Sequence, residues 1–315
     1  MAFDLDQYLN ERRATVEAAL ARHLEACAAA PATLKEALAY SLLAGGKRLR
    51  PILALAASEA VGGSVEDAID AGCAVEFIHT YSLIHDDLPA MDDDDFRRGR
   101  ATSHKKFGEA MAILAGDALA AEAFRVVVAG RRGKEVQVAE VVYELARAAG
   151  AVGMVGGQVI DIEATGKKVT VAELELLHRA KTGELLLVAV RAGARMGGAS
   201  TDDLEHLTIY GRALGLAFQI VDDVLDVTAD LATLGKDPGS DQEAGKHTFV
   251  DLLGIDGARA RAKLVMDEGL AALAPFGARA EALRALGRYT LERDREPHLA
   301  LRLARGVRAS GLGAQ

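Results

Sequence analysis

The chain has 315 residues and a formal net charge of −9, room for one large or two ordinary domains and too acidic for a general nucleic-acid binder, which needs a cationic footprint. Hydrophobic residues make up 50% and aromatics 4%, with no Trp and six Pro, so Ala and Leu supply most of the apolar surface, favouring long helices with little punctuation. The uncharged stretches are too short for stable membrane insertion, the start MAFDLDQYLNERR lacks the apolar core of a signal peptide, and Cys27 and Cys73 form no CxxC pair, which points to free thiols in the cytoplasm.

Helical spacing begins at once. Leu9, Val16, Leu20 and Leu24 form one stripe, and Leu34, Leu38, Leu42 and Leu43 a second. A Gly45-Gly46 turn then leads into Lys47-Arg48-Leu49-Arg50-Pro51, three cations and a proline at a helix start. This resembles a phosphate cradle but lacks the Walker spacing. After Gly62-Gly63, Ser64 opens a helix with acids in its first turn that runs to His85. A loop follows from Pro89 to Ser103, others at Gly130 to Gly133 and Thr165 to Lys168. Thr170 and Glu173 spell a capping box, opening a helix expected to reach Ala194. Ser200 to Asp203 opens another that should continue to about Leu225, and Gly235 to Lys246 reads as a loop. The sum is an all-α protein, a single helical-bundle domain over residues 1–295. Residues 296–315 form a C-terminal extension, a solvated tail or a short basic helix with Arg302, Arg305 and Arg308.

Two acidic segments carry the chemistry. Residues 85 to 100, HDDLPAMDDDDFRRGR, hold Asp86, Asp87, Asp92, Asp93, Asp94 and Asp95, followed by Arg97, Arg98 and Arg100. Such a cluster repels itself unless cations neutralise it. Pro89 should end the preceding helix near Leu88, letting Asp92 fold back toward Asp86. Hard carboxylate oxygens suit Mg2+; a solvated acidic loop is the plainer alternative. In FQIVDDVLDV, residues 218 to 227, Asp222 and Asp226 share one helix face with Asp223 beside them, among apolar neighbours. Three acids on an apolar helix make a poor solvated face, so the pair of segments favours metal binding over surface charge. Both segments read as apolar helices ending in paired aspartates.

The ordered motifs GGKRLRP, HTYSLIHDDLPAMDDDDFRRGRATSH, FGEAMAILAGDAL, GGQ, HRAKTGELL, GLAFQIVDDVLDV, TLGKDPGSD and GKHTF resemble those of the trans-polyprenyl diphosphate synthases, particularly bacterial farnesyl diphosphate synthases. The resemblance runs from Gly45 to Phe249 and implies a fold, a reaction and roles. It implies an isoprenoid-synthase helical bundle with a central cavity, Mg2+ as cofactor, isopentenyl and allylic diphosphates as substrates, and a homodimer. Asp86, Asp87 and Asp92 match the first aspartate motif; Asp222, Asp223 and Asp226 match the second. Arg97, Lys181 and Lys236 match contacts to the allylic diphosphate, while Gly46, Lys47, Arg50, His79, Arg98 and Lys246 match the diphosphate pockets. Thr182 and Gln219 match polar groups that steady the developing carbocation. In similar synthases a bulky residue at the position of Tyr81, five before Asp86 and so about 7.5 Å down a helix, stops growth at farnesyl diphosphate. The alternative is that its smaller neighbour Ser82 lines the tunnel.

Asp117, Gln158 and Asp161 read as supporting or packing residues, Gly153, Gly156 and Gly157 as sites of close helix approach, His85 as a hydrogen-bonded core histidine, and His104 as an anchor of the acidic loop. Ala101 and Phe249 stand where similar synthases often have Pro and Tyr. A geranylgeranyl diphosphate synthase differs from this reading only in product length. A terpene cyclase needs no isopentenyl site, against GGKRLRP. A non-catalytic metal-binding bundle of the di-iron type calls for Glu-x-x-His pairs, which these segments lack.

Overall fold

The computed structural model describes residues 3–131, 133–228 and 247–293. Lys236, Lys246, the loop from 235 to 246 and the extension 296–315 lie outside the described residues. Helices make the architecture, with one two-residue hairpin, β1 (Phe96–Arg97) paired antiparallel with β2 (Arg100–Ala101). In chain order the helices before the hairpin are α1 (Leu5–Glu25), α2 (Ala32–Leu42), α3 (Leu49–Ala60) and α4 (Val65–Asp86). After it come α5 (Ser103–Phe107), α6 (Glu109–Ala129), α7 (Glu135–Ala149), α8 (Met154–Ala164) and α9 (Val171–His178). Then follow α10 (Glu184–Met196), α11 (Thr201–Thr228), α12 (Phe249–Ala272) and α13 (Glu281–Glu292).

The caps are written locally. Ser64 and Asp67 exchange side-chain and backbone hydrogen bonds at the start of α4, and Thr170 with Glu173 does the same at α9. Thr248 with Asp251 caps α12 the same way. Each device satisfies N–H groups that a helix start otherwise leaves unpaired, and losing one costs about 1 kcal/mol.

Helices α4 and α10 form the centre. Helix α4 packs against α3, α6 and α10, and α10 touches α3, α4, α7 and α11. Their residues are correspondingly buried nearly all round: Ala68 to Ile78 on α4, Leu185 to Val190 on α10. A helix this apolar belongs inside, and the two acids in the α4 stretch are paired there, Asp70 with His23 and Glu76 with Arg48. Small residues set the approach distances. A Cβ at Gly193 would collide with the Ala54 backbone, fixing α10 close to α3; one at Gly215 would meet Gly183 at 2.8 Å. Among the described residues no helix is long and apolar enough to cross a membrane.

The fold departs from the sequence reading at two places. The helix expected from Thr170 to Ala194 runs without interruption to Met196 but contains a π-helical turn, Arg179–Gly183, between α9 and α10. The α11 helix passes its paired aspartates and reaches Thr228, near the end expected at about Leu225 and not at Asp222-Asp223, with Ile220, Val221 and Val224 buried along it. Helix α4 does end at Asp86, ahead of Pro89, as the proline requires.

Candidate active site

Asp86 is the last residue of α4, where helix carbonyls already make the potential negative. Burial, with Asp92 and Asp87 nearby, pushes its carboxyl up to about 6, against the pull of Lys181 and Arg97. The chain folds back so that the Asp92 N–H donates to the Asp86 carbonyl at 2.9 Å. Asp87 turns inward, 3% exposed, and accepts from the Arg97 guanidinium at 2.6 Å. Burial raises its carboxyl although Arg97 opposes the shift. Below the loop, Thr102 donates to the Asp94 carbonyl at 2.8 Å and sits 3.1 Å from Nδ1 of the buried His104. His104 thus fastens the acidic loop from beneath.

The second motif rides on α11. Asp223 and Asp226 are buried, whereas the Asp222 side chain is 40% exposed. Asp223 accepts from the Phe249 N–H at 2.7 Å and lies 3.6 Å from His178 Nε2, tying α11 to α12 and α9. Burial lifts its carboxyl, with His178 and the Phe249 N–H pulling it back. Asp222 accepts from Gln219 Nε2 at 3.1 Å and from Arg293 at 2.8 Å. Thr182, in the π-helical turn, donates to Gln219 Oε1 at 3.0 Å.

The π turn also carries Lys181, whose ammonium donates to Asp161 Oδ2 at 2.5 Å. Gly157 makes this possible: a Cβ there would run into the Lys181 backbone, so α8 and the turn touch only through hydrogen. A widened turn re-aims the side chains it carries, and such turns recur at functional sites.

A cluster of cations surrounds His79. Arg98 reaches back to the Gly45 carbonyl, and a Cβ on Gly46 would sit 2.8 Å from its guanidinium carbon; Gly46 also has φ +130°, a conformation that favours glycine. Arg50 Nε is out of solvent without a hydrogen-bond partner, and burial lowers its pKa to about 10. Lys47 is likewise lowered, by desolvation first and by Arg293 second, with Asp222 opposing. His79 is driven well below its usual range by burial and by Arg50, Arg98 and Arg97, so it is neutral at pH 7. Arg48, within the same GGKRLRP segment, belongs elsewhere: it pairs with Glu17 and Glu76 and braces α1 against α4.

Lys47 and Arg50 each lie in the field of Asp222, and Lys181 and Arg97 in that of Asp86; His79, in the field of Arg50, Arg98 and Arg97, stands between the two groups. Tyr81 lies half-buried with its ring edge on His85, centroids 5.3 Å apart, and desolvation, Asp86 and Asp117 raise its phenol. The Ser82 hydroxyl donates to the His79 carbonyl at 2.8 Å. His85 sits 3.1 Å from the Ile113 carbonyl, only partly buried. Sequence reasoning gave no role to His178, the first residue of HRAKTGELL, missed Arg293, which follows no motif, and gave Asp161 no specific partner.

The donor set suits a hard divalent cation. Among the described residues the trio of possible ligands within 4.8 Å of one another is Asp93, Asp95 and His104, and Asp95 is already held by Lys105 at 2.6 Å. The predicted aspartates form no such closed cage.

Residues 31–272 match the family model described as polyprenyl synthetase. The farnesyl diphosphate synthase of Geobacillus stearothermophilus is 49% identical over 257 residues, 81% of this chain and 86% of that one. Geranylgeranyl pyrophosphate synthase 9, chloroplastic, of Arabidopsis thaliana is 47% identical over 295 residues, 91% of this chain and 81% of that one. The crystal structure of an FPP/GFPP synthase from Zymomonas mobilis superposes with a TM-score of 0.80 at 38% identity, covering 92% of this chain and all of that one. The chain belongs to the polyprenyl synthetase family.

Proposed function

We propose that this chain is a short-chain prenyltransferase that condenses isopentenyl diphosphate with dimethylallyl and then geranyl diphosphate to give farnesyl diphosphate. The observation that carries the reading is the meeting of two aspartate motifs with a cationic pocket whose Arg50 Nε is buried and unpartnered. A buried guanidinium N–H without a partner is costly, and a diphosphate oxygen is its natural complement. Mg2+ held by Asp86, Asp87, Asp92, Asp222, Asp223 and Asp226 would neutralise charge on the departing diphosphate as the allylic C–O bond breaks.

The side chains supply the rest. Lys181 exchanges Asp161, and Arg97 exchanges Asp87, for oxygens of the allylic diphosphate; Lys236 joins them in this reading. Lys47, Arg50, Arg98 and the neutral His79 hold isopentenyl diphosphate beside Gly46, and Lys246 is a substrate-binding residue in this reading. Thr182 and Gln219 turn oxygen lone pairs toward the positive charge that develops on the allyl group. The surrounding Ala, Leu and Val side chains offer that cation no nucleophile except the isopentenyl double bond. After the new C–C bond forms, the proton passes to the released diphosphate. Tyr81, half-buried before Asp86, supports a tunnel floor at fifteen carbons.

The same reading makes residues 1–295 one catalytic domain acting in the cytoplasm as a homodimer. Exposed Ile113 and Leu114 on α6 and Val136 and Tyr143 on α7 support a partner copy, which light scattering would weigh. The functional test supplies Mg2+, labelled isopentenyl diphosphate and, in turn, dimethylallyl, geranyl and farnesyl diphosphate, and sizes the products. Growth that stops at C15 is expected; C20 would keep the chemistry and remove Tyr81 as floor. No elongation from any primer would overturn the reading.

A further inference from the structure

Arg293 sits just past α13, far in sequence from every motif, yet is 4% exposed. Its guanidinium lies 3.8 Å from the Phe218 ring centroid and donates to the Phe218 carbonyl at 2.5 Å. It also pairs with Asp222 Oδ1 at 2.8 Å, while Nε has no hydrogen-bond partner. The other Asp222 oxygen accepts from Gln219, which is held in turn by Thr182. Both oxygens of the most open carboxylate of the second motif are therefore engaged by protein donors. A cation arriving at Asp222 has to displace or share one of them.

We propose that Arg293 is a positioning residue for Asp222, a guanidinium that stands in for the divalent cation in the substrate-free protein and yields Oδ1 when a cation–diphosphate complex binds. The contacts to Phe218 do not involve Asp222, so Arg293 keeps its place through the exchange. Lys47 lies in the field of both Arg293 and Asp222, so the exchange also changes the charge facing the isopentenyl pocket. The inference rests on the proposed diphosphate chemistry at this site.

The test uses the full chain with inorganic pyrophosphate as probe and Mg2+ titrated by calorimetry, comparing wild type, Arg293→Met and Arg293→Lys. Met keeps an apolar stem against Phe218 and removes the competing charge. The half-saturating Mg2+ concentration is expected to fall about threefold in Arg293→Met, the worth of a partly exposed ion pair, and to stay near wild type in Arg293→Lys. Loss of a positive charge weakens anion binding and eases the approach of any cation, so a further variant, Asp222→Asn with Arg293→Met, is titrated beside the others. The gain is expected to vanish there, and a gain that persists without the Asp222 carboxylate overturns the proposal. Unchanged or weaker binding in Arg293→Met overturns the proposal, whether the unfolding midpoint is kept or lowered. A wild type that neither binds Mg2+–pyrophosphate nor elongates a primer overturns the functional reading instead.

Discussion

Asp86 shows how one carboxyl trades stability for chemistry. Its folded pKa, near 6, lies above the ordinary carboxylate value of about 3.9. The folded state therefore binds the proton more firmly than the unfolded chain, and its contribution is lost as pH rises from about 4 through 6. Without divalent cation, Asp86→Asn should raise the melting temperature near pH 7 and flatten its fall between those pH values. The same variant should lose about a hundredfold or more in turnover. Thermal melts with and without Mg2+, beside an elongation assay, check both halves. Asp161 makes a second case. Asp161→Asn leaves Lys181 without its anionic anchor, so the KM for the allylic diphosphate should shift several-fold while the melting temperature stays within a few degrees of wild type, read by steady-state kinetics.

At the scale of an element, the π-helical turn Arg179–Gly183 decides where Lys181 and Thr182 point. It sits in a seam of small residues, with Gly157 of α8 on one side and Gly215 of α11 on the other. Gly157→Ala puts a methyl into the Lys181 backbone and should cost about 1–3 kcal/mol, measured by denaturant unfolding. Its effect on turnover should exceed that of an equally destabilising core change such as Leu145→Ala, because the displaced backbone carries the Lys181 ammonium and the Thr182 hydroxyl. Equal losses in the two variants would make the seam a packing feature only.

At the scale of the molecule, the bundle brings the end of α4 beside the hairpin cations and the middle of α11 beside the π turn, and the proposed reaction needs these walls to enclose one cavity for two diphosphates. Product length is a property of that cavity. Tyr81→Ala should lengthen the products to C20 or beyond, scored by chromatography of the dephosphorylated alcohols. An unchanged C15 product from the variant would move the floor to another side chain.

The sequence alone determined the helical class, the caps at Ser64 and Thr170, the end of α4 before Pro89, and the two acidic segments, because each rests on residues within a few positions of one another. Motif order along the chain was likewise enough to show the family resemblance. Tertiary structure decided what local pattern cannot carry: that a π turn sits inside the helix opened at Thr170, and that Arg48 pairs with Glu17 and Glu76 while Arg50 Nε is buried without a hydrogen-bond partner. It alone brought His178 to Asp223 and Arg293 to Asp222, contacts spanning 45 and 71 positions. Such pairs are set by how whole helices pack, and nothing in the spacing of either partner announces the other.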